Sequence, residues 1–513
     1  MAGKIEMAEV PATPPVVVEN HDAAYHIWRH AGVTGRTLVH VDAHHDMWWL
    51  DDASRLTIAN YVCQAIKDGF VNHVIWVVPD AAWTSRRSRR ALSRHLRSLA
   101  GQYSAGRPPI DVSPRRLSTD LRGTPVTICS LDSLPVQAEP VLLDLDTDFL
   151  VLPVVEYERD DTPAERPWIW PEELVAALRA REVQADIVTV AYSVEGGYTP
   201  LAWKHLGDAL ALEWVASSEL QMPEREGYRC LRRAAVARAS GDHGRAGGEL
   251  EQASQCLPRS AAPFYHLALL HQDAGEIDDA RGCFERAVGL DPSYRGPYSS
   301  RGFAYLFEGR FDAAASEFNR LLELDPENPF ARVGMARLAM RSRQWPVAET
   351  QLRRSLAASP RLVDGHRSLG EVLAKLGRED EAITAYARSV RLALAGEVSV
   401  TEPILTAPDG AGPRDGGHGR VHAAMARLDA RRGRMADAVA GYRMAIAVGY
   451  DRVGVRGGLA WLFMKQRRWH AAATEGARAI AQVPNAVRRV GRHILRNVRR
   501  AARKRHSGRK RPA

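Results

Sequence analysis

Thr37-Leu38-Val39-His40-Val41-Asp42-Ala43-His44-His45-Asp46 is an apolar, β-branched run that ends in acids and imidazoles. Thr37–Val41 therefore predicts a buried strand, with its acid and imidazole groups gathered in the loop that follows. In α/β sheets the loops at the carboxyl ends of strands are where sites form.

A second run, Leu142-Leu143-Asp144-Leu145-Asp146-Thr147-Asp148, also passes from apolar residues into acids. Convergence of Asp144 and Asp146 is expected where the backbone turns at the strand's end. Further strands are predicted at His73–Val78, Pro125–Cys129, Val141–Leu145 and Asp186–Ala191, and helices at Asp22–Ala31, Leu56–Asp68, Pro171–Arg181 and Leu201–Val215. Near-continuous apolar strands separated by helices predict an α/β domain over 15–222, its sheet mostly parallel and covered on both faces. Residues 1–14 are expected to be a flexible N-terminus. Residues 82–122, rich in Arg, Ser and Pro, read as a basic helix plus a loop.

The second half follows another period. Pro258, Pro292, Pro326 and Pro360 lie 34 residues apart. Ala246, Ala280, Ala314 and Ala348 each stand 12 residues before one of them. Gly241, Gly275 and Gly309 come earlier still, and Leu250, Phe284, Phe318 and Leu352 follow the alanines. Small residues at fixed points let two helices cross closely, and the bulky residue fills the gap between neighbouring pairs. The pattern continues through Gly370, Ala382 and Tyr386, and after a Gly- and Pro-rich insertion (395–418) through Gly433, Ala438 and Tyr442. A last copy carries Ala460, Ala472, Ala479 and Pro484. This resembles the tetratricopeptide repeat. The resemblance covers about 225–486 and implies an all-α superhelical solenoid of about seven units, whose concave face holds an extended partner.

Bulk composition narrows the classes. At 513 residues the chain exceeds one hydrophobic core. No apolar stretch is long enough to cross a membrane, and the N-terminal residues lack the apolar core of a secretory signal. Five scattered cysteines without a C-x-x-C pair argue against a disulfide framework or zinc ribbon and fit a reducing, cytoplasmic setting. The net charge of +9 resides in the tail: twelve Arg or Lys and no acid follow Val487, and without them the chain stands at −3. That 487–513 tail reads as disordered, with nucleic acid reachable only non-specifically through it.

Acids crowded beside apolar strands need a counter-charge, which divalent cations provide. Mixed imidazole and carboxylate ligands suit manganese, iron, cobalt or zinc. Asp42-Ala43-His44-His45-Asp46, with the Asp-x-Asp of Asp144 and Asp146, resembles the arginase and deacetylase superfamily. More narrowly, Glu19-Asn20-His21-Asp22, Val41-Asp42-Ala43-His44 and Val194-Glu195-Gly196-Gly197-Tyr198-Thr199-Pro200 resemble the peptide arginases, which convert arginine in ribosomally made precursor peptides to ornithine and urea. The resemblance implies two Mn²⁺ ions. Asp42 and Asp144 would bridge them, with His21 and Asp46 completing one site and His44 and Asp146 the other. Glu195 would take the guanidinium, helped by Asn20, and Tyr198 could instead polarise a carbonyl. The glycine-rich segment that precedes the first histidine in free-arginine arginases is replaced by Glu19-Asn20. A proton-shuttling histidine has no clear counterpart: His45, His40 and His73 are candidates, each readable as a core histidine. Asp148 is either a support for the ligands or a surface acid. Trp48 and Trp49 either line the pocket mouth or pack in the core. The competing readings are an amide hydrolase of deacetylase type, and a repeat scaffold with a relic metal domain.

Overall fold

The computed structural model describes residues 14–48, 56–103, 109–152, 166–194, 198–215, 221–295, 302–303, 305–306, 309–394, 418–448 and 450–481. Trp49, Glu195, Pro484, the insertion through residue 417, the basic tail and all but the last residue of 1–14 lie outside these.

Eight strands form one sheet: β1 (Val16–Val18), β2 (Arg36–Val41), β3 (Val71–Val78), β4 (Asp111–Val112), β5 (Arg116–Leu121), β6 (Thr124–Ser130), β7 (Val141–Asp146) and β8 (Ala185–Ala191). Their spatial order is β1-β8-β7-β2-β3-β6-β5-β4. Pairing is parallel from β1 across to β6. The β4 and β5 strands add an antiparallel edge. The sheet is thus mixed, and part of the segment expected to be a loop after the basic helix is paired strand. In β5, Leu117, Thr119 and Leu121 face inward while Arg116 and Asp120 face out, the alternation of a half-buried strand.

Helices α1 (Asp22–His30), α2 (Tyr61–Lys67), α3 (Asp80–Thr84), α4 (Arg86–Tyr103), α5 (Asp148–Val151), α6 (Pro171–Ala180) and α7 (His205–Trp214) accompany the strands. Trp28, Tyr61, Leu92 and Leu96 pack on the face that carries Leu38, Trp76 and Leu142. Phe149, Leu174, Leu206 and Leu210 pack with Val39, Ile75 and Leu143. Side chains alternate between these two cores, so His40 shares the face of Leu38. In the β2–β7 register His40 lies beside Asp144. Asp144 and Asp146, two apart, fall on one face through the pleat itself. The expected convergence needs no turn.

The second half is a run of helical hairpins. Helices α8 (Met222–Ala239) and α9 (His243–Cys256) form the first, α10 (Ala262–Ala274) and α11 (Ile277–Leu290) the second. After α12 (Phe311–Leu324) come α13 (Pro329–Arg341) with α14 (Trp345–Ala358), and α15 (Val363–Lys375) with α16 (Glu379–Leu394). The last two pairs are α17 (His418–Arg431) with α18 (Met435–Ala447) and α19 (Val453–Lys465) with α20 (Trp469–Ala481). Ala246, Ala280, Ala314 and Ala348 are fully buried, as are Phe318 and Leu352. Gly275 closes α10 at φ 80°, the left-handed cap that glycine adopts without strain.

Contacts divide the chain after Gly334, not near residue 223 where the two periodicities meet. The reason is the packing of the first repeats onto the α/β layer. Val194 and Leu201 join one core with Phe264, Tyr265 and Tyr294. Arg225 pairs with Glu213 at 2.5 Å, and Arg232 spans to Glu173 at 2.7 Å while lying over the Trp170 ring. Lys204 Nζ donates to Asp291 Oδ2 at 2.9 Å and to Ser293 Oγ at 2.6 Å. Lys204 is nearly buried, so Lys204→Met should strand these acceptors and cost about 1–2 kcal/mol. A lowered denaturation midpoint for full-length K204M checks this, and an unchanged one would show the pair to be idle.

Candidate metal centre

The carboxyl ends of β2 and β7 lie side by side at the middle of the sheet, and the two acidic motifs meet there. Asp42 and Asp144 are fully buried, as are His40 and Asp148, and Asp146 is 4% exposed. His21, at the start of α1, is drawn in from the far edge. Its Nδ1 is 2.8 Å from Tyr61 Oη, 3.3 Å from Asp144 Oδ2 and 3.6 Å from Asp42 Oδ2. Its Nε2 is 3.2 Å from Asp146 Oδ2.

Two sets of ligand atoms are close enough to share an ion: His21, His40, Asp42 and Asp46, and Asp42, His44 and Asp148. Asp42 belongs to both, the position expected of a bridging carboxylate. The partner of His44 differs from expectation. Its Nδ1 lies 2.8 Å from Asp148 Oδ2, whereas Asp146 faces His21 and accepts from Ser193 Oγ at 2.6 Å. Asp144 is held by the protein: Thr189 Oγ1 donates to Oδ1, Tyr61 Oη donates to Oδ2 at 2.5 Å, and His40 Nδ1 lies 3.2 Å from Oδ2. Asp148 thus stands beside His44 where Asp146 is expected, and Asp144 lies deeper in the strand, beside His40.

The cluster concentrates negative charge. Five carboxylates are gathered, and among the described residues none pairs with Lys or Arg. Burial pushes Asp46 and Asp146 well above the carboxylate range, with Asp42 adding to the first and Asp148 to the second. Burial and Asp42 raise Asp148 to about 6. Burial alone would lower His40, but Asp42 and Asp144 carry it well above an ordinary histidine. The buried imidazoles and carboxylates face one another: His40 Nε2 lies 3.2 Å from Asp42 Oδ2, His21 Nε2 3.2 Å from Asp146 Oδ2 and His44 Nδ1 2.8 Å from Asp148 Oδ2. Imidazole nitrogens and carboxylate oxygens turned towards one another in one buried cluster fit a divalent transition metal. Asp46 and Ser193 are held at φ 51° and 52°, the left-handed region, both at this cluster.

The remaining candidates fall elsewhere. Met47 N–H donates to His45 Nδ1 at 2.8 Å, and the ring packs against Trp48, Trp76 and His95. Burial, then His95, keeps His45 neutral, so it sits as a core histidine. Trp48 is 3% exposed in the same packing and lines no mouth. His73 lies 3.3 Å from Thr127 Oγ1 across the neighbouring strand pair. Asn20 is half-buried beside His21. The Tyr198 ring stands 4.6 Å from His44, which brings the loop after β8 to the cluster; Glu195 of that loop is outside the described residues. Tyr61, Thr189 and Ser193 were not foreseen. Thr189 lies beside Asp144 in register, a signal readable once β7 and β8 are paired, while nothing in the sequence links Tyr61 to His21.

A profile of the tetratricopeptide repeat matches residues 265–329 and 333–394. The C-terminal region is a tetratricopeptide-repeat array. Small glutamine-rich tetratricopeptide repeat-containing protein 2 of Saccharomyces cerevisiae is 30% identical over 92 residues, 18% of this chain and 27% of that protein. A tetratricopeptide repeat and J domain-containing co-chaperone of Fusarium oxysporum is 32% identical over 84 residues, 16% of each. The chain thus spans well under half the length of these relatives. Among solved structures, Pseudomonas aeruginosa pilF shares 15% identity with a TM-score of 0.31, covering 44% of this chain and 94% of its own. No described helix is long and apolar enough to cross a membrane.

Proposed function

We propose that the α/β layer is a two-cation hydrolase of peptide arginase type, converting peptidyl arginine to ornithine and urea while the tetratricopeptide array holds the peptide. The observation that carries this reading is the pair of ligand clusters sharing Asp42. His21, Asp42 and Asp46 would hold one ion and His44, Asp42 and Asp148 the other, with Asp146, 3.2 Å from His21, a further ligand. Two divalent cations such as Mn²⁺, when bound, would supply Lewis acidity that ionises water near neutral pH and polarises the guanidinium.

The protein's own part is positioning. Ser193 Oγ and the Asp148 N–H, at 2.6 and 2.8 Å, fix both oxygens of Asp146. The His44 N–H, at 2.6 Å, fixes Asp42 Oδ1, while Oδ2 faces His40 Nε2 at 3.2 Å and His21 Nδ1 at 3.6 Å. Trp76 Nε1 anchors the Asp42 backbone carbonyl at 2.9 Å. Glu195 would accept two parallel N–H bonds from the substrate guanidinium, a fork that matches a carboxylate.

Tyr198 beside His44 favours one second reading, an amide hydrolase in which the phenol polarises a carbonyl. One experiment separates the two. The full chain, loaded with manganese, is given a peptide that carries both arginine and Nε-acetyllysine. Urea without acetate is the expected outcome, and acetate without urea would transfer the assignment to the amide.

A further inference from the structure

In the second unit, α15, α17 and α19 are the first helices of three successive hairpins, and residues from them line a groove of about 560 Å³. Its charge is one-sided. Arg367, Lys375, Arg420, Arg427 and Arg431 line it against the single carboxylate of Glu371. Arg367 is tied to Asp364 at 2.7 Å and Arg431 to Glu379 at 3.0 Å. Lys375 and Arg427 are exposed and form no ion pair among the described residues. Such a run of exposed like charges attracts an anionic partner, in competition with the counter-ions of the solvent.

The aromatic lining separates two kinds of polyanion. Tyr386 and Tyr442 are 5% and 4% exposed, because Gly370 and Gly458 let the neighbouring helices close over their rings. Buried rings make an apolar floor but offer no free faces for successive bases. Trp461 is 42% exposed, with Lys465 Nζ 5.5 Å from its ring centre. The groove is therefore an apolar floor with a cationic rim, complementary to a chain that alternates carboxylates with apolar side chains.

We propose that this groove binds an acidic, amphipathic peptide segment, its carboxylates meeting Lys375, Arg420 and Arg427 and its apolar side chains resting on Tyr450 and Trp461. This rests on the array's role as peptide holder and is independent of the chemistry at the metal centre.

The test measures fluorescence anisotropy of three labelled probes on the full chain: a glutamate–leucine peptide, a lysine–leucine peptide and an oligothymidylate. The glutamate–leucine peptide should bind most tightly and be released in about 1 M salt, where the screening length falls to about 3 Å. Arg427→Glu and Lys375→Glu should each weaken it at least about tenfold, and Trp461→Ala several-fold, with unchanged melting midpoints. Arg391→Glu, outside the groove, should leave binding unaltered. Tighter binding of either other probe, or indifference to R427E and K375E, overturns the proposal. So does a chain lacking 395–417 that binds when the full chain does not, since that segment would then be the occupant. Urea release from a short arginine peptide reads the hydrolase separately and should be insensitive to R427E.

Discussion

Asp42→Asn should empty the metal centre and abolish hydrolysis. The substitution is isosteric: the asparagine Oδ1 can still accept from the His44 N–H, and the backbone carbonyl still accepts from Trp76. What changes is Oδ2, the buried oxygen 3.2 Å from His40 Nε2, which becomes an amide nitrogen with no lone pair for a cation. Because Asp42 belongs to both ligand sets, both ions lose a ligand at once. Altering residues one step removed from a metal costs about 10–100-fold, so a shared ligand should exceed the upper figure in turnover. Elemental analysis of desalted, manganese-loaded D42N checks occupancy beside activity. Wild-type metal content in the variant would refute a shared carboxylate.

The second large effect separates Asp148 from Asp144. Asp148 Oδ2 faces the imidazole of His44, at 2.8 Å, whereas Asp144 accepts from Thr189 and Tyr61 and abuts His40. Asp148→Asn should therefore lose metal and activity while the metal-free protein melts as before. Asp144→Asn sets amide hydrogens against donors in a buried network, which costs about 1–3 kcal/mol. It should lower the melting point and reduce metal content less than D148N does. The reverse pattern, a metal-free but stable D144N beside a fully loaded D148N, would restore Asp144 and Asp146 as the liganding pair.

The contrast shows what sequence could carry. The strand from Thr37 to Val41, its partners and the 34-residue repeat were legible, because burial on both faces and helix crossing each write a period into the chain. The β5 strand was hidden: its inward Leu117, Thr119 and Leu121 alternate with polar residues inside an Arg- and Ser-rich stretch that reads as loop. The ligand loop at Asp42 was legible as a motif. The register of the acid run was not, since Asp144, Asp146 and Asp148 are equivalent as letters, and only pairing with His40 and Thr189 sinks the first into the sheet. Tyr61 reaches His21 across 40 residues of sequence, a tertiary contact that no local pattern encodes. The junction after Val194 was hidden likewise, because Lys204 finds Asp291 only once the second hairpin is folded.

The most direct measurement is the metal content of the full-length wild-type chain, loaded with manganese, desalted and analysed by mass spectrometry of the elements. Two ligand sets that share Asp42 predict about two ions per chain, the stoichiometry of a two-metal site. One ion would reduce the centre to a mononuclear site. No retained metal would contradict the account, leaving protonated His40 as the acids' counter-charge and the array as a scaffold alone.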